Sequence, residues 1–138
     1  MSEKPVVSVH EVAGEGTYIF FWCPGCRGYH AVSVERPNNC GAKWTWNGDL
    51  IRPTFWPSIL ARSSKMTELG ERQYRDWMYG KIPMPEKFDS VDTVCHSFVR
   101  DGRIEFLGDC THELAGKSVA LEPVDDEFMV GVEAVRHE

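Results

Sequence analysis

Residues 93–112, TVCHSFVRDGRIEFLGDCTH, predict the antiparallel hairpin around which the rest of the fold is arranged. Two segments of alternating polar and apolar residues flank Asp101-Gly102, a pair that is typical of two-residue hairpin turns. A turn of this length fixes the register, so that Ser97 lies opposite Phe106. The register in turn decides which side chains of the two strands share a face of the sheet.

Strand alternation separates the cysteines of this hairpin from its histidine. In the predicted register Cys95 and Cys110 are diagonal neighbours on one face, because side chains two residues apart on a strand point the same way. His96 points to the opposite face together with Phe98. His112 follows the predicted end of the strand, where alternation no longer applies, so it is an alternative to either cysteine.

A second cysteine pair lies upstream in Cys23-Pro24-Gly25-Cys26, between predicted strands over Thr17–Trp22 and Tyr29–Val34. A CPxC turn bends the backbone so that both sulfurs reach one point, as in zinc ribbons and knuckles. Structural zinc takes four Cys or His ligands in close pairs from two chain segments. We therefore predict a Zn²⁺ site with the ligands Cys23, Cys26, Cys95 and Cys110, and with His112 and His96 as alternate ligands.

Two further residues with donor atoms are left out of this predicted site. His30 lies in a predicted hairpin, where an isolated histidine is more often a surface residue than a ligand. Cys40 lies in a polar loop and does not form a close pair in the sequence with another cysteine or histidine. The alternative for the whole set is that these are reduced thiols that bind no metal.

The remaining sequence predicts a β-rich α+β fold, in which antiparallel hairpins are joined by the zinc-ribbon-like site. Residues 43–51 contain Asn47-Gly48, a type I′ turn signature, and predict a hairpin of their own. Two more strands are expected over Ser118–Leu121 and Phe128–Val135. A short helical turn is expected near residues 112–115.

One segment departs from this β pattern. Thr67–Tyr79 carries apolar residues at helical spacing and is followed by Gly80, which predicts the main helix. We expect residues 63–90 to be a helical insertion between two β-rich halves, within a single domain that covers residues 1–138. The insertion would suit contacts with a protein partner.

Composition favours a protein of a reducing compartment. The chain has 138 residues, five cysteines and a formal net charge of −6. An odd number of cysteines cannot all pair within the chain, and no apolar secretory segment follows MSEKPVV. No run reaches the roughly 18 apolar residues of a membrane span, and the basic residues are scattered. These features predict a location in the cytoplasm of a bacterial host and no association with a membrane, and they disfavour nucleic acid as a partner.

Motifs for catalysis are sparse in this sequence. The chain has no HExxH, no GxSxG, no P-loop and no Gly-rich dinucleotide fingerprint. A catalytic zinc would keep one position open for water, and His96, His112 or Glu113 could then serve as the acid-base group. We favour a structural zinc and a role that is not enzymatic. A small zinc-dependent hydrolase that uses His96 and His112 beside the metal is the alternative.

Three blocks of the sequence resemble an uncharacterised family of small phage and prophage proteins. They are FWCPGCRGYH (21–30), WTWNGDLIRPTFWPS (44–58) and CHSFVRDGRIEFLGDCTHELAGKSVALEP (95–123). Many members carry the label "ammonia monooxygenase", which we consider a misannotation because nothing in the sequence resembles a membrane copper enzyme. Other relatives are encoded near bacterial ubiquitin-like conjugation genes.

The resemblance implies a zinc-binding accessory protein that is carried by phages or defence-related operons. The family pattern keeps His96 and His112 beside the cysteines, so both histidines stay open as ligands or as a polar site next to the metal. We therefore predict a protein-binding module that modulates a host or defence factor. Its partner is a protein of unknown identity, and a ubiquitin-like conjugation system is one candidate.

Overall fold

The computed structural model describes residues 3–124 and 133–134, the latter pair as backbone alone. Within that part of the chain there are ten strands and one helix. In chain order they are β1 (Val7–Val12), β2 (Gly16–Cys23), β3 (Gly28–Ser33), β4 (Thr45–Trp46), β5 (Phe55–Trp56), β6 (Ile59–Met66), α1 (Glu68–Met78), β7 (Ser90–Arg100), β8 (Arg103–Phe106), β9 (Ser118–Ala120) and β10 (Glu133–Ala134). The predicted β-rich α+β class is confirmed.

Two compact units divide the chain. One consists of Met1–Ala61 with Val94–Glu138, and the other of Arg62–Thr93. The borders fall within β6 and β7, so both strands continue along the chain from one unit into the other. The second unit contains α1 and the segment 63–90 that the sequence marks as an insertion.

The CPGC segment forms a hairpin turn, as predicted. β2 and β3 pair antiparallel across it, with Cys23 opposite Gly28. β1 pairs with the other side of β2, and Glu133–Ala134 pair in parallel with β3. Of the strand predicted over Phe128–Val135, only these two residues lie within the described chain.

The hairpin at Asp101-Gly102 has the predicted register, with Ser97 opposite Phe106. Both turn residues have a positive φ, 50° at Asp101 and 78° at Gly102, a region that favours glycine and tolerates aspartate. The order of the sheet is β6-β7-β8-β9. β7 is therefore an inner strand, with a neighbour on each side.

The loop after β8 is bound to β7. The N–H of Thr111 donates to the carbonyl of Val94 at 2.9 Å, and the Thr111 hydroxyl accepts from the Val94 N–H at 2.9 Å. Residues 112–115, near which a helical turn is expected, form a turn in which the Ala115 N–H donates to the His112 carbonyl at 3.3 Å. These bonds hold the loop beside the middle of β7.

The hairpin predicted over residues 43–51 is wrong, because β4 pairs with β5 instead. The side chains of Asn47 and Asp49 explain the difference. Their oxygens accept hydrogen bonds from backbone N–H groups of residues 49–54, at 2.8 to 3.2 Å. Local acceptors of this kind compete with strand pairing and fold the segment into a loop.

The core of the first unit is built from inward-facing aromatic and branched side chains. The largest fully buried ones are Trp44, Phe21, Phe55, Ile19, Ile59 and Ile104. The Trp44 indole N–H donates to the carbonyl of Ser58 at 3.1 Å, and Phe21 stacks on Phe55. Truncating a buried aromatic residue typically costs about 3–5 kcal/mol. The core therefore fixes the backbone at the start of β6.

The helix predicted over Thr67–Tyr79 is confirmed, with both residues as its caps. The Thr67 hydroxyl accepts from the Gly70 N–H at 3.1 Å and donates to an Asp89 carboxylate oxygen at 2.6 Å. Gly80 follows the C-cap with a φ of 72°, the left-handed conformation that commonly ends helices. No helix of the described residues is long and apolar enough to cross a membrane.

Candidate active site and metal centre

β7 presents two sets of polar side chains on opposite faces. Cys95 and Ser97 are buried on the face that looks into the core. His96 and Phe98 are partly buried on the other face. This is the separation predicted from strand alternation, and each face has its own candidate site.

On the core-facing side, one imidazole and three thiols come together. Their donor atoms all lie within 4.8 Å of one another, and they belong to Cys23, Cys26, His30 and Cys95. The sulfurs of Cys23 and Cys95 are 3.8 Å apart, although the residues belong to β2 and β7. Three thiolates and one imidazole form a complete tetrahedral set of ligands for a metal such as zinc. The arrangement therefore could hold a metal ion.

His30 supports this interpretation. It is 1% exposed, and neither ring nitrogen has a hydrogen-bond partner among the described residues. A buried polar group without a partner costs about 1–3 kcal/mol, and coordination of a cation would satisfy one nitrogen. The expectation that His30 is a surface residue is wrong, because β3 is covered on both faces. In the structure, residues 29–33 are all buried rather than alternating between buried and exposed.

Proximity shifts the pKa values of two thiols of this group, Cys23 and Cys95, in opposite directions. Hydrogen bonds with Cys26 and then Cys95 hold the pKa of Cys23 far below its usual range. Hydrogen bonds with Cys23 and then Cys26, together with burial, raise the pKa of Cys95. A bound cation favours the thiolate form of every ligand and would relieve this conflict.

Cys95 also belongs to a second group, with Cys110 and His112. The Cys110 sulfur accepts from the N–H of His96 and donates to its carbonyl, both at 3.2 Å. Burial raises the pKa of Cys110 and lowers that of His112, whose ring packs edge-on against Phe106 at 4.5 Å. Cys110 and His112, the predicted ligand and its alternate, thus adjoin the four-residue group through Cys95. The sulfur of Cys110 contacts the backbone of His96.

The side chain of His96 belongs to neither group of the described residues. It lies between a serine and an aspartate: Nε2 is 3.2 Å from the Ser58 hydroxyl oxygen, and Nδ1 is 3.1 Å from a carboxylate oxygen of Asp109. Donation from Nδ1–H to Asp109 leaves Nε2 as the acceptor for the Ser58 proton. Ser58 is 3% exposed and directly precedes β6, whereas the side chain of Asp109 is half exposed.

This chain of hydrogen bonds can activate a hydroxyl group as a nucleophile. In this arrangement the imidazole can accept the proton of Ser58 as a general base, and Asp109 can hold the imidazole in the required tautomer and stabilise its charged form. Triads occur on unrelated folds in different chain orders, so geometry identifies them rather than sequence position. The site therefore has the geometry of a serine hydrolase.

Of these three residues, sequence reasoning assigned a catalytic role only to His96, as an acid-base group beside the metal, and noted Asp109 as an available acid. Ser58 was missed because GxSxG belongs to one fold, and here the serine follows Trp56-Pro57 in an extended segment. The usable signal for Asp109 was the hairpin register, which makes it a diagonal neighbour of His96, just as it makes Cys110 a diagonal neighbour of Cys95. Glu113, the acid named for a zinc hydrolase, is exposed and is not part of the Ser–His–Asp chain.

The family of the chain agrees with this geometry. Residues 1–107 match the profile of BubE, described as the bacterial ubiquitination-like system serine protease, and the chain belongs to this family. The matched part includes Ser58 and His96, and Asp109 lies just beyond it. No curated protein and no solved structure matches the chain.

The family corrects the function expected from the sequence. A phage- or prophage-type accessory protein that acts as a protein-binding module is wrong, because the family is one of serine proteases. The zinc-dependent hydrolase gains no support either, since the imidazole of His96 faces Ser58 and Asp109. The expected connection with ubiquitin-like conjugation agrees with the description of the family.

Proposed function

We propose that this chain is a serine peptidase of a bacterial ubiquitination-like system. Ser58 is the nucleophile, His96 the general base and Asp109 the residue that orients the imidazole. The observation that carries the proposal is the unbroken chain of hydrogen bonds from Ser58 through both nitrogens of His96 to Asp109. The description of the family supplies the reaction class and the biological system.

In the proposed reaction, the Ser58 oxygen attacks the carbonyl carbon of the scissile peptide bond while its proton passes to Nε2 of His96. The imidazolium then gives this proton to the leaving amine, and an ester between Ser58 and the acyl group of the substrate is formed. A water molecule, deprotonated by the neutral His96, hydrolyses the ester and releases Ser58. Asp109 stays ionised throughout and holds Nδ1–H.

The surroundings of Ser58 suit a nucleophile that must be held in one position. Its carbonyl accepts the indole N–H of Trp44, which is itself fully buried in the core. Its hydroxyl is within reach of His96 without rearrangement. Displacement of a reacting group by about 1 Å can cost on the order of 100-fold in rate, so a backbone fixed by the core supports catalysis.

We propose further that the four-residue group binds Zn²⁺ as a structural ion, through Cys23, Cys26, His30 and Cys95. Four protein ligands complete the tetrahedral coordination, and the ion then supplies a cross-link between β2, β3 and β7 rather than a reaction step. Such ligands need reduced thiols, which supports a cytoplasmic location in a bacterial host. The four-cysteine set, with Cys110 in place of His30, is the competing assignment.

Labelling with a biotinylated fluorophosphonate tests the nucleophile, because this probe reacts covalently with activated serines. We expect peptide mass spectrometry to find the modification on Ser58, and Ser58→Ala to abolish it. His96→Ala should slow the reaction strongly. The matched control is Ser97→Ala, which removes a buried serine on the opposite face of β7 and should be labelled like the parent protein. A folded protein that is labelled elsewhere, or not at all, would contradict the proposed function.

A further inference from the structure

Beside the triad lies an aromatic stack that the proposed chemistry does not use. The side chain of Trp56 is 57% exposed, and its ring stacks on Phe98 with centroids 5.7 Å apart and planes at 23°. The guanidinium carbon of Arg100 lies 4.7 Å from the centre of the Phe98 ring. We call Trp56, Phe98 and Arg100 the aromatic platform.

The platform adjoins the catalytic residues along two chain segments. Trp56 lies two positions before Ser58, and Phe98 lies two positions after His96 on β7. Alternate residues of a strand point to one face, so the imidazole and the Phe98 ring project side by side from positions roughly 7 Å apart. Alternate side chains of an extended peptide have the same spacing. A peptide that presents its carbonyl to Ser58 can therefore lay a nearby side chain on the platform.

The exposure of Trp56 contrasts with that of another tryptophan in the same unit. Trp44 is 1% exposed, and its indole N–H is bonded inside the core. Packing in the core thus explains why a tryptophan is present at position 44. It does not explain the tryptophan at position 56, because most of that side chain is exposed. Exposed Trp and Arg side chains that are held in a stack are typical of the central contacts of binding surfaces.

The chemistry of the platform favours an apolar occupant over an acidic one. The Trp56 and Phe98 rings offer apolar surface. The charge of Arg100 is partly balanced, because its Nε lies 3.9 Å from a carboxylate oxygen of Glu105. An acidic side chain would lose its hydration against the two rings and gain little from Arg100.

We propose that the aromatic platform is a specificity subsite that binds an apolar side chain of the substrate polypeptide close to the scissile bond. The proposal rests on the peptidase function and names the class of substrate residue that this peptidase selects. Trp56 and Phe98 supply the contact surface. Arg100 supports the Phe98 ring.

Fluorogenic peptides that differ only in Leu or Asp at the positions flanking the scissile bond test the subsite, with p-nitrophenyl acetate as an ester that has no side chain. We expect the parent protein to prefer Leu peptides. In Trp56→Ala the ratio of kcat/KM for Leu peptides to that for the ester should fall about tenfold, mainly through KM, and Trp56→Phe should restore most of it. Tyr79→Ala, which removes an exposed aromatic side chain of the second unit, should leave the ratio unchanged.

An unchanged ratio in Trp56→Ala, or equal losses on Leu and Asp peptides, would overturn the subsite. Failure of the peptidase function looks different, because the parent protein would then hydrolyse neither peptides nor the ester. The subsite can still be decided in that case by titrating the same peptides into Ser58→Ala protein in a calorimeter. Leu peptides should bind about tenfold more tightly than Asp peptides, and adding Trp56→Ala should remove the difference. Equal binding would refute the subsite.

Discussion

The two faces of β7 differ in how deeply their side chains are buried and in what these side chains contact. On one face, Cys95 and Ser97 are buried in the core, and Cys95 joins the Cys/His group. On the other face, His96 and Phe98 are partly buried and contact groups that reach the surface. Because neighbouring residues of a strand point to opposite faces, a rigid buried cluster can fix a reactive imidazole that is only one residue away. The Cys/His group and the Ser–His–Asp chain therefore use neighbouring residues of β7 but lie on opposite faces of the sheet.

The loop after β8 repeats this division. Asp109 faces His96, whereas the next residue, Cys110, contacts the backbone of His96 and belongs to a Cys/His group. Thr111 adds two bonds to Val94. Each of two segments therefore pairs a cysteine with a residue of the triad. If the two faces of β7 are coupled, loss of the metal should also impair the triad, whereas changes in the triad should leave the metal in place.

The largest effect is expected from Cys95→Ser, because this residue belongs to both Cys/His groups. Structural zinc sites contribute apparent binding energies of about 10–16 kcal/mol to folding, so the variant should lose its zinc, unfold at a much lower temperature and lose peptidase activity. Elemental analysis, calorimetry and peptide hydrolysis measure the three changes. Cys40→Ser is the matched control, since this exposed cysteine lies outside both groups. A metal-free parent protein that is folded and active would refute the coupling.

Asp109→Asn should lower the peptidase activity, which depends on the His96 face of β7, and leave the Cys/His group on the other face intact. An amide in this position favours the wrong imidazole tautomer, and the corresponding change in a well-studied triad lowers kcat about 10⁴-fold. We expect a loss of 10²- to 10⁴-fold here, with unchanged zinc content and an almost unchanged melting temperature. Asp92→Asn, which changes an exposed carboxylate of β7, is the control and should retain full activity. A loss of less than tenfold would remove Asp109 from the triad.

The smallest effect is expected from Cys110→Ala. Its thiol makes two bonds to the backbone of His96, and a neutral hydrogen bond contributes about 0.5–1.5 kcal/mol, so kcat should fall about three- to tenfold. Zinc should stay bound in Cys110→Ala and be lost in His30→Ala. Loss of zinc in Cys110→Ala and its retention in His30→Ala would establish the four-cysteine set. Cys110 would then be a zinc ligand, and its contacts with the backbone of His96 would be secondary. Metal content per chain and steady-state kinetics of both variants decide between the two.

Local features of the sequence determined several turns, strand registers and helix ends of this protein. The register at Asp101-Gly102, the CPGC hairpin and the helix caps at Thr67 and Tyr79 all follow from turn chemistry and periodicity. The division of β7 into a cysteine face and a histidine face follows in the same way. These properties depend on residues within a few positions of one another, so the sequence alone predicts them.

Tertiary structure decided which residues meet. Ser58 and His96 are 38 positions apart, so no local pattern relates them. His30 was misjudged for the same reason, because its burial depends on segments far from it in the sequence, such as the one that carries Cys95. Periodicity states the direction in which a side chain points, but its partner is chosen by packing between distant segments.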